Sequence, residues 1–178
     1  YIYIHIPFCL KKCDYCSFFS VKYERDIKEK YFSALLKEIE LYRKIFLIKP
    51  GTVYFGGGTP SLLTSQELNE ILAKFEIAEK CEITLEANPK NITAEFAEKI
   101  SATPINRISL GAQSFLDNEL KLLGRLHDAK QIFTAYHLLK NAGFDNISLD
   151  LIYGLPQQKL RDVEFSLNEM LALNPQHI

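Results

Sequence analysis

Strand-like and helix-like stretches alternate along this chain with little between them, and that order narrows the fold more than any other feature. YIYIHI (1–6), TVYF (52–55), EITLE (82–86), RISL (107–110) and NISLDLI (146–152) are rich in β-branched or aromatic residues and read as strands, the second stopped by a run of glycines. From Arg25 to about Phe46, the residues Ile27, Tyr31, Leu35, Ile39 and Tyr42 recur at helical spacing. Thr64 with Glu67 makes a capping box ahead of Leu68, Ile71, Leu72 and Phe75. A short helix follows Thr93. Asp128 caps another that carries Ile132, Tyr136 and Leu139 and stops at Gly143. Leu160, Val163, Leu167 and Leu171 mark a fifth helix, after which NPQHI would open a sixth strand.

Such alternation predicts an α/β fold, a parallel sheet with outer helices. Side-chain parity then separates an open sheet from a curved one. Ile2, Ile4 and Ile6 oppose Tyr3 and His5, while Ile83 and Leu85 oppose Thr84 and Glu86. Ile108 and Leu110 oppose Ser109, and Ile147, Leu149 and Leu151 oppose Ser148 and Asp150. A sheet covered on both faces would be apolar at both parities. One aliphatic face and one polar face predict a curved parallel sheet whose polar side lines a concave interior. An antiparallel sheet with one wet face shares this parity, but the helical crossovers count against it. A site is expected at the C-terminal ends of the strands.

The 178 residues, 47% of them hydrophobic, suffice for one core, and no repeat or linker divides them, so residues 1–178 are expected to form one domain. The chain opens on Tyr1, directly in strand-like sequence, and so reads as a fragment of a longer one. A formal charge of −1 supplies no broad field to draw it to nucleic acid or to an anionic membrane. No apolar run approaches the roughly 20 residues that span a bilayer.

Three of the four cysteines, Cys9, Cys13 and Cys16, fall within HIPFCLKKCDYCSFF (5–19), while Cys81 stands apart and reads as a small packed group. A secreted disulfide framework would spread its thiols, so the bunching points to a reducing compartment and a cytoplasmic protein. Two metal readings follow from the spacing. Zinc could take the three thiolates with His5, in a zinc-stabilised αβ domain, although that imidazole would have to reach across Pro7. A [4Fe-4S] cluster normally takes four thiolates, and with three, one iron stays open to a small molecule.

Elsewhere the residues say less. Gly56, Gly57, Gly58 and Thr59 follow the second strand without the Lys-Ser/Thr ending of a phosphate loop, and read as an ordinary strand-to-helix turn. Glu86 ends the third strand on the polar side, where a carboxylate could accept two ribose hydroxyls. His5, His127, His137 and His177 form no ligand pattern.

Taken in order, HIPFCLKKCDYCSF, YFGGGTPSLL, EANP, RISLGAQSF, LGRLH and DLIYGLP resemble the radical S-adenosylmethionine (SAM) superfamily. Within it they are similar to the anaerobic (oxygen-independent) coproporphyrinogen III oxidase family and its sister branch of haem chaperones. The resemblance covers essentially the whole chain. It implies a radical SAM (β/α)6 partial barrel, here ending near the sixth strand. It also implies a [4Fe-4S] cluster on Cys9, Cys13 and Cys16 whose open iron is chelated by SAM. An electron from the cluster would cleave SAM to methionine and a 5′-deoxyadenosyl radical. By the same resemblance Gly57, Gly58, Thr59 and Glu86 contact SAM, and Tyr3 and Tyr15 match aromatic positions near it. Gln113, Arg125 and Asp150 match positions that bind a second SAM in the oxidase.

CSF (16–18) departs from the oxidase pattern. Oxidases tend to carry a further cysteine where this chain has Phe18, and the chaperone branch carries Phe. The resemblance therefore implies a carrier that binds haem and transfers it to apoproteins, membrane-associated clients among them. The alternative is an enzyme that decarboxylates the propionates of a porphyrinogen to vinyls. Either role implies an electron donor. The haem ligands would lie downstream of Ile178.

Overall fold

The first five expected strands all form, and all are parallel, while the expected sixth is reduced to a single bridge. The computed structural model describes residues 1–178. In chain order the strands are β1 (Ile2–Ile6), β2 (Phe8–Cys9), β3 (Val21–Lys22), β4 (Thr52–Gly57), β5 (Glu82–Ala87), β6 (Arg107–Gln113) and β7 (Asn146–Leu151). The helices are α1 (Arg25–Ile45), α2 (Ser65–Leu72), α3 (Ala94–Ser101), α4 (Asp117–Leu122), α5 (Ala129–Asn141) and α6 (Leu160–Leu173). One sheet holds β1, β4, β5, β6 and β7 in that order, each neighbouring pair parallel. Every crossover advances one strand in the same direction. That is the winding of a barrel wall, since a doubly wound sheet reverses its strand order part-way. The last residues extend the series: Ser148 bridges His177 in parallel, and the Gln176 N–H donates to the carbonyl of Ile147.

Register explains the two faces. Ile4, Phe55, Leu85, Ile108 and Ile147 are aligned across the five strands, and all are buried. They form the core with Leu68 and Ile71 of α2, Ile100 of α3, and Ile132 and Leu139 of α5. Each fully buried side chain of this size contributes about 1.5–3 kcal/mol by leaving water. On the opposite face Glu86, Ser109 and Ser148 share one register row.

Caps set the helix starts where the sequence places them. Thr64 and Glu67 close a reciprocal capping box on α2, Asp128 and Gln131 close another on α5, and Thr93 caps α3. Beyond the two-residue strands β2 and β3, which no sequence pattern marks, three details differ from the sequence reading. The glycines do not stop β4, which runs through Gly56 and Gly57. The helix α4 has only six residues, too few to display a period. The third difference is the buried face of α6, which carries Ser166 and Met170, whereas Leu160 is 74% exposed and Leu171 56%. Ser166 turns the helix: its hydroxyl accepts from the Phe115 N–H at 3.1 Å and lies 3.3 Å from the Ser114 hydroxyl. No helix is long and apolar enough to cross a membrane.

Candidate cofactor pocket

A cysteine-bearing loop leaves the C-terminal end of β1 and is tied shut at its base. The ribbon of β2 and β3 does this, with the Val21 N–H donating to the Pro7 carbonyl and the Tyr23 N–H to the Cys9 carbonyl, both at 2.8 Å. Further out, the Cys16 N–H donates to the Cys13 carbonyl at 3.1 Å, and the Asp14 N–H to the Leu123 carbonyl just after α4 at 3.2 Å. The thiols of Cys9, Cys13 and Cys16 are free and half-buried, and they line a pocket of about 330 Å³.

The other wall is made of strand ends. Gly57, Gly58 and Thr59 come from the end of β4, and Glu86, Gln113 and Asp150 from β5, β6 and β7. Tyr15 and Arg125 close the side. Every site residue expected from the sequence lines this one pocket except Tyr3. Its hydroxyl meets His5 Nδ1 at 3.1 Å and its ring stacks on Tyr54 at 6.1 Å, so it lies on the same sheet face outside the pocket lining.

The glycines are required by the chain's own packing. Gly57 has φ +118°, and a Cβ there would meet the His5 ring at 2.7 Å. A Cβ on Gly58 would lie 2.7 Å from the Phe8 carbonyl oxygen and 2.8 Å from backbone atoms of Pro7. The glycine run therefore seats the cysteine ribbon against β4. It also leaves the Gly57 N–H free to donate to Glu86 Oε2 at 3.1 Å. Tyr54 donates to Glu86 Oε1 at 2.8 Å. Burial raises the Glu86 pKa, and these two bonds pull it partly back. Asp150 accepts from Ser109 at 3.0 Å.

The three sulfurs meet different neighbours. Thr59 Oγ1 stands 3.6 Å from Cys9 Sγ and Arg125 Nη1 3.6 Å from Cys13 Sγ. No three His, Cys, Asp or Glu side chains stand close enough to hold a single metal ion. A tetrahedral zinc site needs four donors converging on one point, whereas a cluster spreads its thiolates over separate irons. His5 is also committed elsewhere, with Nδ1 at Tyr3 and Nε2 at the Phe19 carbonyl, 3.1 Å away. The Cys3His arrangement is thus not assembled here. Free thiols on one pocket wall, a buried hydroxyl on Ser20 and a buried Nε on Arg125, both without partners, fit a bound group with several acceptor atoms.

Sequence alone does not point to Ser20, Ser109 or His127. His127 is buried, with Nε2 3.2 Å from the Ala112 carbonyl oxygen and Nδ1 3.2 Å from Asn88 Oδ1. Burial lowers its pKa to about 4, so the ring is neutral and its single N–H can donate to only one of these oxygens while the ring packs against the turn after β5. The one trace of this in the sequence is the capping sense of Asn88 before Pro89.

Comparison with known proteins agrees with this geometry. The family model of the radical SAM superfamily matches residues 3–170. The heme chaperone HemW of Haemophilus influenzae is 38% identical over 187 residues, covering 99% of this chain and 49% of the relative. That of Bacillus subtilis is 36% identical over 181 residues, covering 98% and 48%. The chain spans about half the length of the curated relatives it matches. Among solved structures, coproporphyrinogen III oxidase (HemN) from Escherichia coli, described as a radical SAM enzyme, superposes with a TM-score of 0.88. It shares 30% identity, with 98% of this chain and 42% of that one covered.

Proposed function

This chain belongs to the radical SAM superfamily, and from that premise we propose that Cys9, Cys13 and Cys16 hold a [4Fe-4S] cluster whose open iron takes SAM, in a protein that carries haem. The observation that supports this most is that three unpaired thiols line one wall of the pocket that the strand ends of β4 to β7 enclose. When bound, the cluster and SAM together supply one-electron chemistry. The chain's own contribution is positional. Glu86, aimed by Tyr54 and Gly57, retains lone pairs for ribose hydroxyls, and the backbone from Gly57 to Thr59 lies alongside. Thiols that must stay reduced to bind iron suit a cytoplasmic setting.

The haem-carrying role draws on the relatives named heme chaperone and on Phe18, which is 69% exposed where it lines the pocket. An apolar ring there offers a surface to a porphyrin plane and no further thiol to the metal. The partners proposed with it are SAM, haem, haem-accepting apoproteins and an electron donor. The oxidase reading stays as the second, supported by the TM-score of 0.88 to the Escherichia coli enzyme.

Anaerobic reconstitution of the protein carrying this chain tests both readings. The expected result is uptake of iron and sulfide, binding of SAM and haem, and no conversion of coproporphyrinogen under reductant. Formation of protoporphyrinogen would replace the carrier by the oxidase. A colourless zinc protein would end both.

A further inference from the structure

A knot of polar side chains joins the exits of β6 and β7 outside the pocket lining. The Ser114 hydroxyl donates to Glu119 Oε2 at 2.5 Å, and Gln158 Nε2 donates to Glu119 Oε1 at 2.9 Å. Glu119, on α4, is 5% exposed and has no ion-pair partner, so neutral donors alone meet both its oxygens. Removing either donor would leave a buried oxygen unmet. The Ser166 hydroxyl, 3.3 Å from that of Ser114, ties α6 to the same point.

Gln158 works in two directions. Its Oε1 accepts from the Gly154 N–H at 2.7 Å and from the Leu155 N–H at 3.2 Å, which closes the turn that follows β7. Its Nε2 fastens that turn to Glu119. Beside it Gln157 sits at φ +65°, a region that a non-glycine residue keeps only where its surroundings enforce it. Just ahead of the turn, Asp150, Leu151 and Ile152 line the pocket, and the Ile152 N–H donates to the Gln113 carbonyl at 2.9 Å. Only Tyr153 separates Ile152 from the turn that Gln158 closes. One end of this stretch of pocket wall is therefore held by the sheet, and the other by Glu119.

We propose that Gln158 and Glu119 are positioning residues for the SAM pocket, holding the turn after β7 so that Leu151 and Ile152 keep their place on its wall. This rests on the SAM reading above. Neither residue lines the pocket itself. Exchanging the two separates their contacts from their mere presence. Gln158→Glu keeps an acceptor for both N–H groups but removes the amide donor to Glu119. Adding Glu119→Gln returns an amide donor from the opposite side and leaves its oxygen to accept from Ser114. The reversed pair can thus make the same contacts as the native one.

The test measures SAM affinity by equilibrium dialysis, with iron and sulfide content, on the anaerobically reconstituted protein that carries this chain. The variants are Gln158→Glu, Gln158→Ala, Gln158→Glu combined with Glu119→Gln, and Gln157→Gly. At wild-type iron content, Gln158→Glu and Gln158→Ala should each weaken SAM binding about tenfold, the scale on which a small misplacement in a site is felt. The reversed pair should recover affinity to within about twofold of wild type, the mark of two residues that act through one contact. Gln157→Gly, which suits the same backbone and leaves the pair intact, should bind SAM as wild type does. Wild-type affinity in both single variants at Gln158 overturns the proposal, as does a reversed pair that binds no better than Gln158→Glu. Loss of iron together with SAM in those variants also overturns it, since mere support of the fold would give that result. Should wild type itself bind no SAM, the reading of the pocket falls, and this inference with it.

Discussion

The phenol of Tyr54 donates a 2.8 Å hydrogen bond to Oε1 of Glu86, so the carboxylate that faces the pocket is oriented by the neighbouring strand. Removing that bond with Tyr54→Phe lets the carboxylate turn and should weaken SAM binding about fivefold, equivalent to about 1 kcal/mol. Glu86→Gln should cost more, roughly 10- to 100-fold, because an ionised acceptor is lost. Burial raises the Glu86 pKa above 4.5, so SAM affinity should fall with pH sooner than for an exposed glutamate. Equilibrium dialysis across pH on reconstituted protein measures all three effects. Unaltered affinity in Glu86→Gln would remove this residue from the SAM site.

Gly58→Ala places a methyl 2.7 Å from the Phe8 carbonyl oxygen, and the neighbour is backbone that must shift. The expected cost is about 1–3 kcal/mol in urea denaturation, with iron uptake reduced because Cys9 moves with Phe8. Gly51→Ala, with nothing within 4 Å of the added carbon, is the control and should leave iron uptake unchanged.

Cys9, Cys13 and Cys16, each changed to Ala, should each abolish most iron uptake. Cys81→Ala should retain it, because Cys81 is 3% exposed within the core and distant from the pocket lining. Iron and sulfide analysis after anaerobic reconstitution reads the difference. Equal iron in Cys13→Ala and wild type would contradict the proposed ligand set.

His127 predicts an acid limb of stability. Its folded pKa of about 4 lies below the ordinary 6.5, so between those values the unfolded chain binds the extra proton. Stability from this residue is complete above about pH 6.5 and is lost as pH falls toward 4, by about 3 kcal/mol in all. His127→Gln should flatten that part of the profile, measured as urea stability at stepped pH. Parallel profiles for the two proteins would refute it.

What the sequence reveals here is whatever repeats along the chain or stands close together in it. The alternation of Ile83 and Leu85 with Thr84 and Glu86 is a local pattern, and it foretold which face the helices cover. Three cysteines within eight positions are equally visible. Tertiary choices are not. Leu160, Val163, Leu167 and Leu171 look like a buried stripe, yet two contacts made by Ser166 rotate α6 so that Met170 faces inward. That Tyr54 and not Tyr3 reaches Glu86 depends on strand order, which sets β4 and not β1 beside β5. His127 becomes a buttress only once the chain after α4 brings it to Asn88, 39 positions away.

The ribbon at the foot of the cysteine loop limits how far its three thiols can spread. With Val21 joined to Pro7 and Tyr23 to Cys9, backbone hydrogen bonds alone bring the two ends of the loop together. The entropy of closing it is met by the polypeptide's own fold, at the ribbon. Any group that the three thiols take up would meet a loop whose span is already fixed at both ends.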